Sequence, residues 1–256
     1  MKEFFGIGGY ERPAEGFLSW QHIVFVSCFM AVMLFLGIFL GLKYKKRDEN
    51  AKNKVLIITA ILIDSIELFR IIFVCIRIHD PWAWKNMLPL FFCSIPLVIL
   101  PLAAFSHGRL KEAAIDFLFI FGLLIAFMGT YGAGNNFGTF PVLCFDNFVS
   151  CLTHAISGFA ALFLILSGMV TMKKKNIGIS FAILGIYCVL AYIADVILPY
   201  NYMFLMRGDG TPYDIFYNLV NGNRILYPLI VVGLFLLYIS VFYAVFYLIR
   251  KARTKK

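Results

Sequence analysis

Long apolar runs alternate with short polar segments along the whole chain, and the lengths of both decide what kind of protein this is. A helix needs about 20 predominantly apolar residues to cross a hydrocarbon core of ~30 Å. The pattern predicts spans at about 20–42, 55–76, 87–105, 112–131, 147–172, 177–200 and 225–249. The first two are separated by the basic loop Lys43 to Lys54. Pro81 stops the second, and Pro89, Pro96 and Pro101 predict a third helix that is kinked or locally broken. A Gly/Asn-rich loop from Gly132 to Thr139 follows the fourth span, and Pro199 closes the sixth. The connection from Asn201 to Asn223 is longer and predicts a short helix near Tyr213 to Val220. Residues 1–19 lack the basic segment and short apolar core of a cleavable signal peptide, so a retained, exposed N-terminus is expected.

Composition narrows the class. With 61% hydrophobic and only 14% charged residues, the chain does not match a water-soluble domain. The expectation is an all-α, polytopic membrane bundle of about seven transmembrane helices, built as one domain over residues 1–256. The net charge of +9 would suggest nucleic acid in a soluble protein. Here the basic clusters follow spans one, three, five and seven, which is a topology signal and excludes that reading. It predicts an N-terminus outside, a cytoplasmic C-terminus and a place in the cell membrane, with Trp20, Trp82 and Trp84 at the outer interface. The six cysteines contain no C-x-x-C pair, so neither a zinc ribbon nor a disulfide framework is indicated. A Cys75–Cys144 bridge on the outer side stays open.

The candidate chemistry lies inside the spans. A charged residue at mid-helix costs roughly 2.5–3.5 kcal/mol on insertion, so such residues face the bundle interior, pair with one another and mark a site. The second span carries Asp64, Glu67 and Arg70. Glu67 and Arg70 are three apart and predict an ion pair on one helical face. Asp64 has no partner in its own helix. A rise of ~1.5 Å per residue puts Asp64 near mid-bilayer, with Glu67 about 18 Å and Arg70 about 23 Å from the cytoplasmic side. The same count puts Cys93 about 9 Å, His154 about 10 Å and Asp195 about 7 Å below the outer surface, with His22, Asn201 and Tyr202 close to it. Residues from at least five helices thus reach one layer, which predicts a single polar pocket facing the outer leaflet.

In that layer Cys93 is the candidate nucleophile and His154 or His22 its base, with Asp195 or Glu67 to orient the imidazole. His22, Asp64, Glu67, Arg70, Asp195, Asn201 and Tyr202 are the candidate substrate contacts. Plain packing of Cys93 and a structural hydrogen bond at His154 stand as the alternatives. No i,i+4 His pair or H-E-x-x-H supports a metal at His22, Glu67 and His154, and no cofactor is expected.

The string Leu88-Pro89-Leu90-Phe91-Phe92-Cys93-Ser94-Ile95, a His on the fifth span and Asn201-Tyr202-Met203-Phe204-Leu205 together resemble the YwaF-like bacterial integral membrane proteins. These are distantly similar to the eukaryotic transmembrane protein 164 family. Where the Leu-Pro-Leu string of the family carries His, this chain has Phe91. The resemblance implies acyl transfer on phospholipids through a Cys and a His. It leaves three readings: an intramembrane acyl-transfer or lipid-hydrolysis enzyme, a non-enzymatic binder or transporter of lipid or a small solute, and a structural membrane partner whose polar residues only clasp helices. Membrane lipid is the expected partner, a small molecule a further candidate, and the oligomeric state is left open.

Overall fold

The computed structural model describes the backbone of residues 1–198 and 200–253. Pro199 and the end of the basic tail, Thr254 to Lys256, lie outside the described residues. Among those described, all regular structure is helical. It comprises α1 (Lys2–Phe5), α2 (Trp20–Tyr44), α3 (Glu49–Arg77), α4 (Ile95–Phe105), α5 (Gly108–Met128), α6 (Gly134–Thr139), α7 (Phe145–Leu166), α8 (Ile177–Ile197), α9 (Asp214–Leu219) and α10 (Leu226–Arg253). Among the described residues four helical stretches are long and apolar enough to cross a membrane: Trp20–Tyr44, Phe145–Leu166, Lys174–Ile197 and Leu226–Ala252.

Local chemistry sets the boundaries that hydropathy alone misplaces. The Ser19 side chain accepts from the His22 N–H and starts α2, and Asp48 does the same for Ala51. That second cap lets α3 begin six residues ahead of its apolar run. The third apolar run is helical only from Ile95; before it lie two 3-10 turns, Ala83–Asn86 and Phe92–Ser94. Pro96 sits at the helix start, where its missing N–H costs nothing, and Pro89 keeps the preceding residues out of the helix. α7 stops at Leu166, short of the expected Met172, because Gly168 turns the chain left-handed at φ 80°. The Gly/Asn segment expected to be a loop contains α6.

α5 and α7 form the centre. α2 and α3 pack on α7, α4 fits between α3 and α5, and α8 and α10 lean on α5. α2 approaches α7 closely because Gly37 and Gly41 face it: a Cβ on either would come within 2.8 Å and 2.6 Å of the Leu162 and Leu166 Cβ atoms. One end of the bundle is tied by fully buried Asp116. It accepts from the Thr171 and Met172 N–H groups (3.0 and 2.9 Å), the Asn176 amide (2.9 Å) and the Tyr243 hydroxyl (3.2 Å), fixing the α7–α8 connection to α5 and α10.

The opposite end is closed by the N-terminal segment, which is exposed over much of its length, as expected, but docked through several side chains. Phe5 packs between Phe73 and Phe145. Arg77 makes a two-pronged pair with Asp146 (2.7 and 3.0 Å) and also donates to the Phe5 carbonyl (3.1 Å). The Tyr10 hydroxyl donates to the same carboxylate. Burial first, and Asp146 second, push the Tyr10 phenol up. All six cysteines are free, so the Cys75–Cys144 bridge is not formed; buried Cys144 accepts from the Asn147 N–H at the start of α7.

Candidate functional site

α3 supplies the charges. Arg70 donates through Nη2 to Glu67 Oε1 (2.5 Å) and through Nε to Oε2 (3.0 Å), a fork that holds both groups rigid, and its Nη1 points at the Met87 sulfur (3.6 Å). The pair predicted from i,i+3 spacing is therefore formed, and it is half-buried. Asp64, one turn away, has no hydrogen-bond or ion-pair partner among the described residues and lies within electrostatic reach of Glu67.

The proline-broken stretch before α4 presents Cys93. Because Pro89 to Ser94 is not an α-helix, its carbonyls are free to accept from elsewhere, and the Tyr187 hydroxyl on α8 takes those of Pro89 and Phe91. Cys93 is exposed, and its thiol lies within electrostatic reach of Glu67, Arg70 and Tyr187.

His154 comes from α7. Its Nδ1 lies 2.5 Å from the Ser150 carbonyl one turn earlier, a bond that requires the proton on Nδ1 and leaves the Nε2 lone pair free. Nε2 is buried and has no hydrogen-bond partner. Glu67 lies within electrostatic reach of this imidazole too. The ring is seated against Gly129 so tightly that any Cβ there would fall 1.8 Å from His154 Cδ2. Cys93 and His154 thus share Glu67 as a neighbour, without a direct hydrogen bond between them.

The remaining candidates stand apart from this group. Asp195 Oδ1 accepts from the Tyr202 N–H (2.7 Å), while its Oδ2 is buried without a partner. The Asn201 side chain is filled by contacts to Met206, Arg207 and Asp209. The Tyr202 hydroxyl donates to the Lys85 carbonyl (2.9 Å), and its ring meets Phe91 at 4.7 Å. Burial, then Tyr200, push the Tyr202 phenol up to about 12. These three residues form a clasp that backs the Cys93 segment. The clasp includes two bulky residues in the left-handed region, Met203 (φ 56°) and Phe204 (φ 59°). His22 is fully buried with both nitrogens engaged: Nδ1 accepts from the Leu18 N–H and Nε2 donates to the Thr130 carbonyl, both at 3.1 Å. Its place is that of an anchor between the start of α2 and the end of α5.

Shared depth predicts one chamber; the side chains divide instead, with Asp195, Asn201 and Tyr202 in a clasp, His22 in an anchor, and Cys93 and His154 each within electrostatic reach of Glu67. Among the described residues no three His, Cys, Asp or Glu side chains are grouped to hold a metal ion. Ser150, Tyr187 and Gly129 were not singled out from the sequence. Tyr187 carried a signal, a phenol deep in an apolar run; a backbone carbonyl and an empty Cα carried none.

The apolar helices, the charges turned inward on α3 and the reactive groups gathered around them define a multi-helix integral membrane protein. The chain belongs to the TMEM164 family, whose model matches residues 17–249. No curated protein and no solved structure matches it.

Proposed function

We propose that this protein is an intramembrane lipid acyl-transfer enzyme, with Cys93 as nucleophile and His154 as general base. In this reading seven helices span the membrane, with the N-terminus outside, and the Leu88 to Ile95 and Asn201 to Leu205 strings favour a bacterial, YwaF-like member of the family. The observation that carries the reading is His154: a buried imidazole with Nδ1 tied to a backbone carbonyl and Nε2 free is prepared to take a proton. The Ser150 carbonyl does the orienting that a carboxylate does in a Ser-His-Asp triad. Cys93 attacks an ester carbonyl of the donor lipid, the acyl group passes to sulfur and the lyso-lipid leaves with a proton. The acceptor hydroxyl then attacks the thioester and gives its proton to the base; with water as acceptor the outcome is hydrolysis. Arg70, held by Glu67, offers a cation to the lipid phosphate.

An acyl-fluorophosphonate or thioester-forming lipid probe tests this in the full-length protein in nanodiscs. Labelling should vanish in Cys93→Ala and slow by roughly 10²–10⁴-fold in His154→Ala. Equal labelling of wild type and Cys93→Ala removes the proposal. Absent labelling, with phospholipid still retained by the wild type, favours the non-enzymatic lipid binder or transporter instead.

A further inference from the structure

A basic loop and an apolar cleft meet at one end of the bundle, and the acyl-transfer reading uses neither. α2 and α3 are joined by only four residues, 45–48, a connection that ordinarily seats two antiparallel helices side by side. Here they part. α2 follows α7 through Gly37 and Gly41, α3 packs on α4 and α7, and a cleft of about 580 Å3 opens between them. Val32 and Leu36 form one wall, Ile58 and Leu62 the other, and Ala155 and Phe159 the floor. Of the two hydroxyl-bearing residues in its lining, Tyr44 marks one end, and Thr59 turns its hydroxyl back onto the Val55 carbonyl (2.7 Å). From Cys28 to Tyr44 the cleft runs about 24 Å at the helical rise, most of a hydrocarbon core of ~30 Å. Its length and dry lining suit one extended acyl chain.

At the Tyr44 and Val55 end the loop carries Lys43, Lys45, Lys46, Arg47, Lys52 and Lys54 against only Asp48 and Glu49. The Asp48 carboxylate caps α3, Glu49 pairs with Lys52, and Lys43 lies over the Phe39 ring. Lys45, Lys46, Arg47 and Lys54 are exposed and have no acidic partner among the described residues. Four free cations at the mouth of a hydrocarbon slot match a negatively charged headgroup with its tail in the slot.

We propose that the α2–α3 cleft is a binding site for an anionic glycerophospholipid, with one acyl chain between Val32 and Leu62 and the phosphate against Lys45, Lys46 and Arg47. Neither Cys93 nor His154 lines this cleft, and the Glu67 and Arg70 pair lies beyond its Leu62 end on α3. The full chain in phosphatidylcholine nanodiscs, doped with phosphatidylglycerol or phosphatidylcholine carrying a photoreactive group on one acyl chain, tests it by mapping crosslinks. The anionic probe is expected to label Cys28–Tyr44 and Val55–Leu62 at least ten-fold above the zwitterionic one. The triple variant K45E/K46E/R47E should remove that preference, since each basic side chain near a charged headgroup contributes roughly five-fold. Val32→Trp fills the cleft from an exposed position and should suppress labelling there by both probes with the melting temperature unchanged. Equal labelling by the two probes, a preference indifferent to charge reversal, or crosslinks outside these helices would overturn the proposal. Cys93→Ala is expected to crosslink as wild type does, so failure of the acyl-transfer reading leaves this one standing, and the reverse.

Discussion

Gly129→Ala adds one methyl group to the protein, and the structure says where it goes. The backbone at Gly129 is in the ordinary helical region (φ −74°, ψ −8°), so alanine costs nothing in backbone strain and gains a few tenths of a kcal/mol to about 1 kcal/mol by restricting the unfolded chain. The new Cβ, however, would lie 1.8 Å from His154 Cδ2 and 2.0 Å from Nε2. No rotation of a methyl relieves such a contact; the imidazole must swing away, and the Nδ1 bond to the Ser150 carbonyl breaks with it. Overpacking costs typically 1–3 kcal/mol and the lost hydrogen bond about 0.5–1.5 kcal/mol, so the net loss should be about 1–4 kcal/mol. The assay is a double-mutant cycle on thermal or denaturant unfolding in a mild detergent, with His154→Ala as the second change. In that background the methyl enters the space the ring has left, and Gly129→Ala should become neutral or stabilising. A favourable coupling of at least 1 kcal/mol is the expected signature. If Gly129→Ala costs the same whether or not the imidazole is present, the packing on which the proposed base depends does not exist.

Three further outcomes follow from the two polar knots that close the ends of the bundle. Asp146→Asn leaves the Arg77 guanidinium without its counter-charge in a site where both side chains are largely buried, and should destabilise by about 3 kcal/mol; limited proteolysis should then cut residues 1–16 faster, and unchanged cleavage would count against the docked segment. The Tyr10 phenol is raised above its unfolded value of about 10. Its contribution is therefore complete below pH ~10 and lost as pH climbs toward the folded value, and Tyr10→Phe should flatten that alkaline limb of a stability profile. Asp116→Ala removes the shared acceptor of four donors and should cost about 3 kcal/mol; a melting temperature near that of wild type would mean the knot is dispensable.

Helix order could be read from the chain because hydropathy and helical rise are local quantities. Seven apolar runs became the seven long or intermediate helices α2, α3, α4, α5, α7, α8 and α10, and Glu67 with Arg70 paired as their spacing required. Their ends were less legible, since a cap such as Asp48 or a left-handed Gly168 acts through a single residue that a window average dilutes. The site was legible only as a depth. Depth along a helix is fixed by counting residues, whereas direction around the bundle depends on which neighbours each face meets. His22, Asp195 and Asn201 were grouped by counted depth, yet hydrogen bonds to Thr130, Tyr202 and Arg207 commit them to anchoring and clasping. Tyr10, Arg77 and Asp146 escaped notice for the same reason: one sits near the start of the chain, and its partner is 136 positions away.

That separation has a bearing on how the molecule is made. The first ten residues leave the ribosome before any of their partners, and Asp146 follows roughly 7–27 s later at synthesis rates of 5–20 residues per second. Until α7 begins, Phe5 has no Phe145 to rest on and Arg77 has no carboxylate to meet. This segment must therefore wait for the start of α7, and its latching requires that α3 and α7 have already come together.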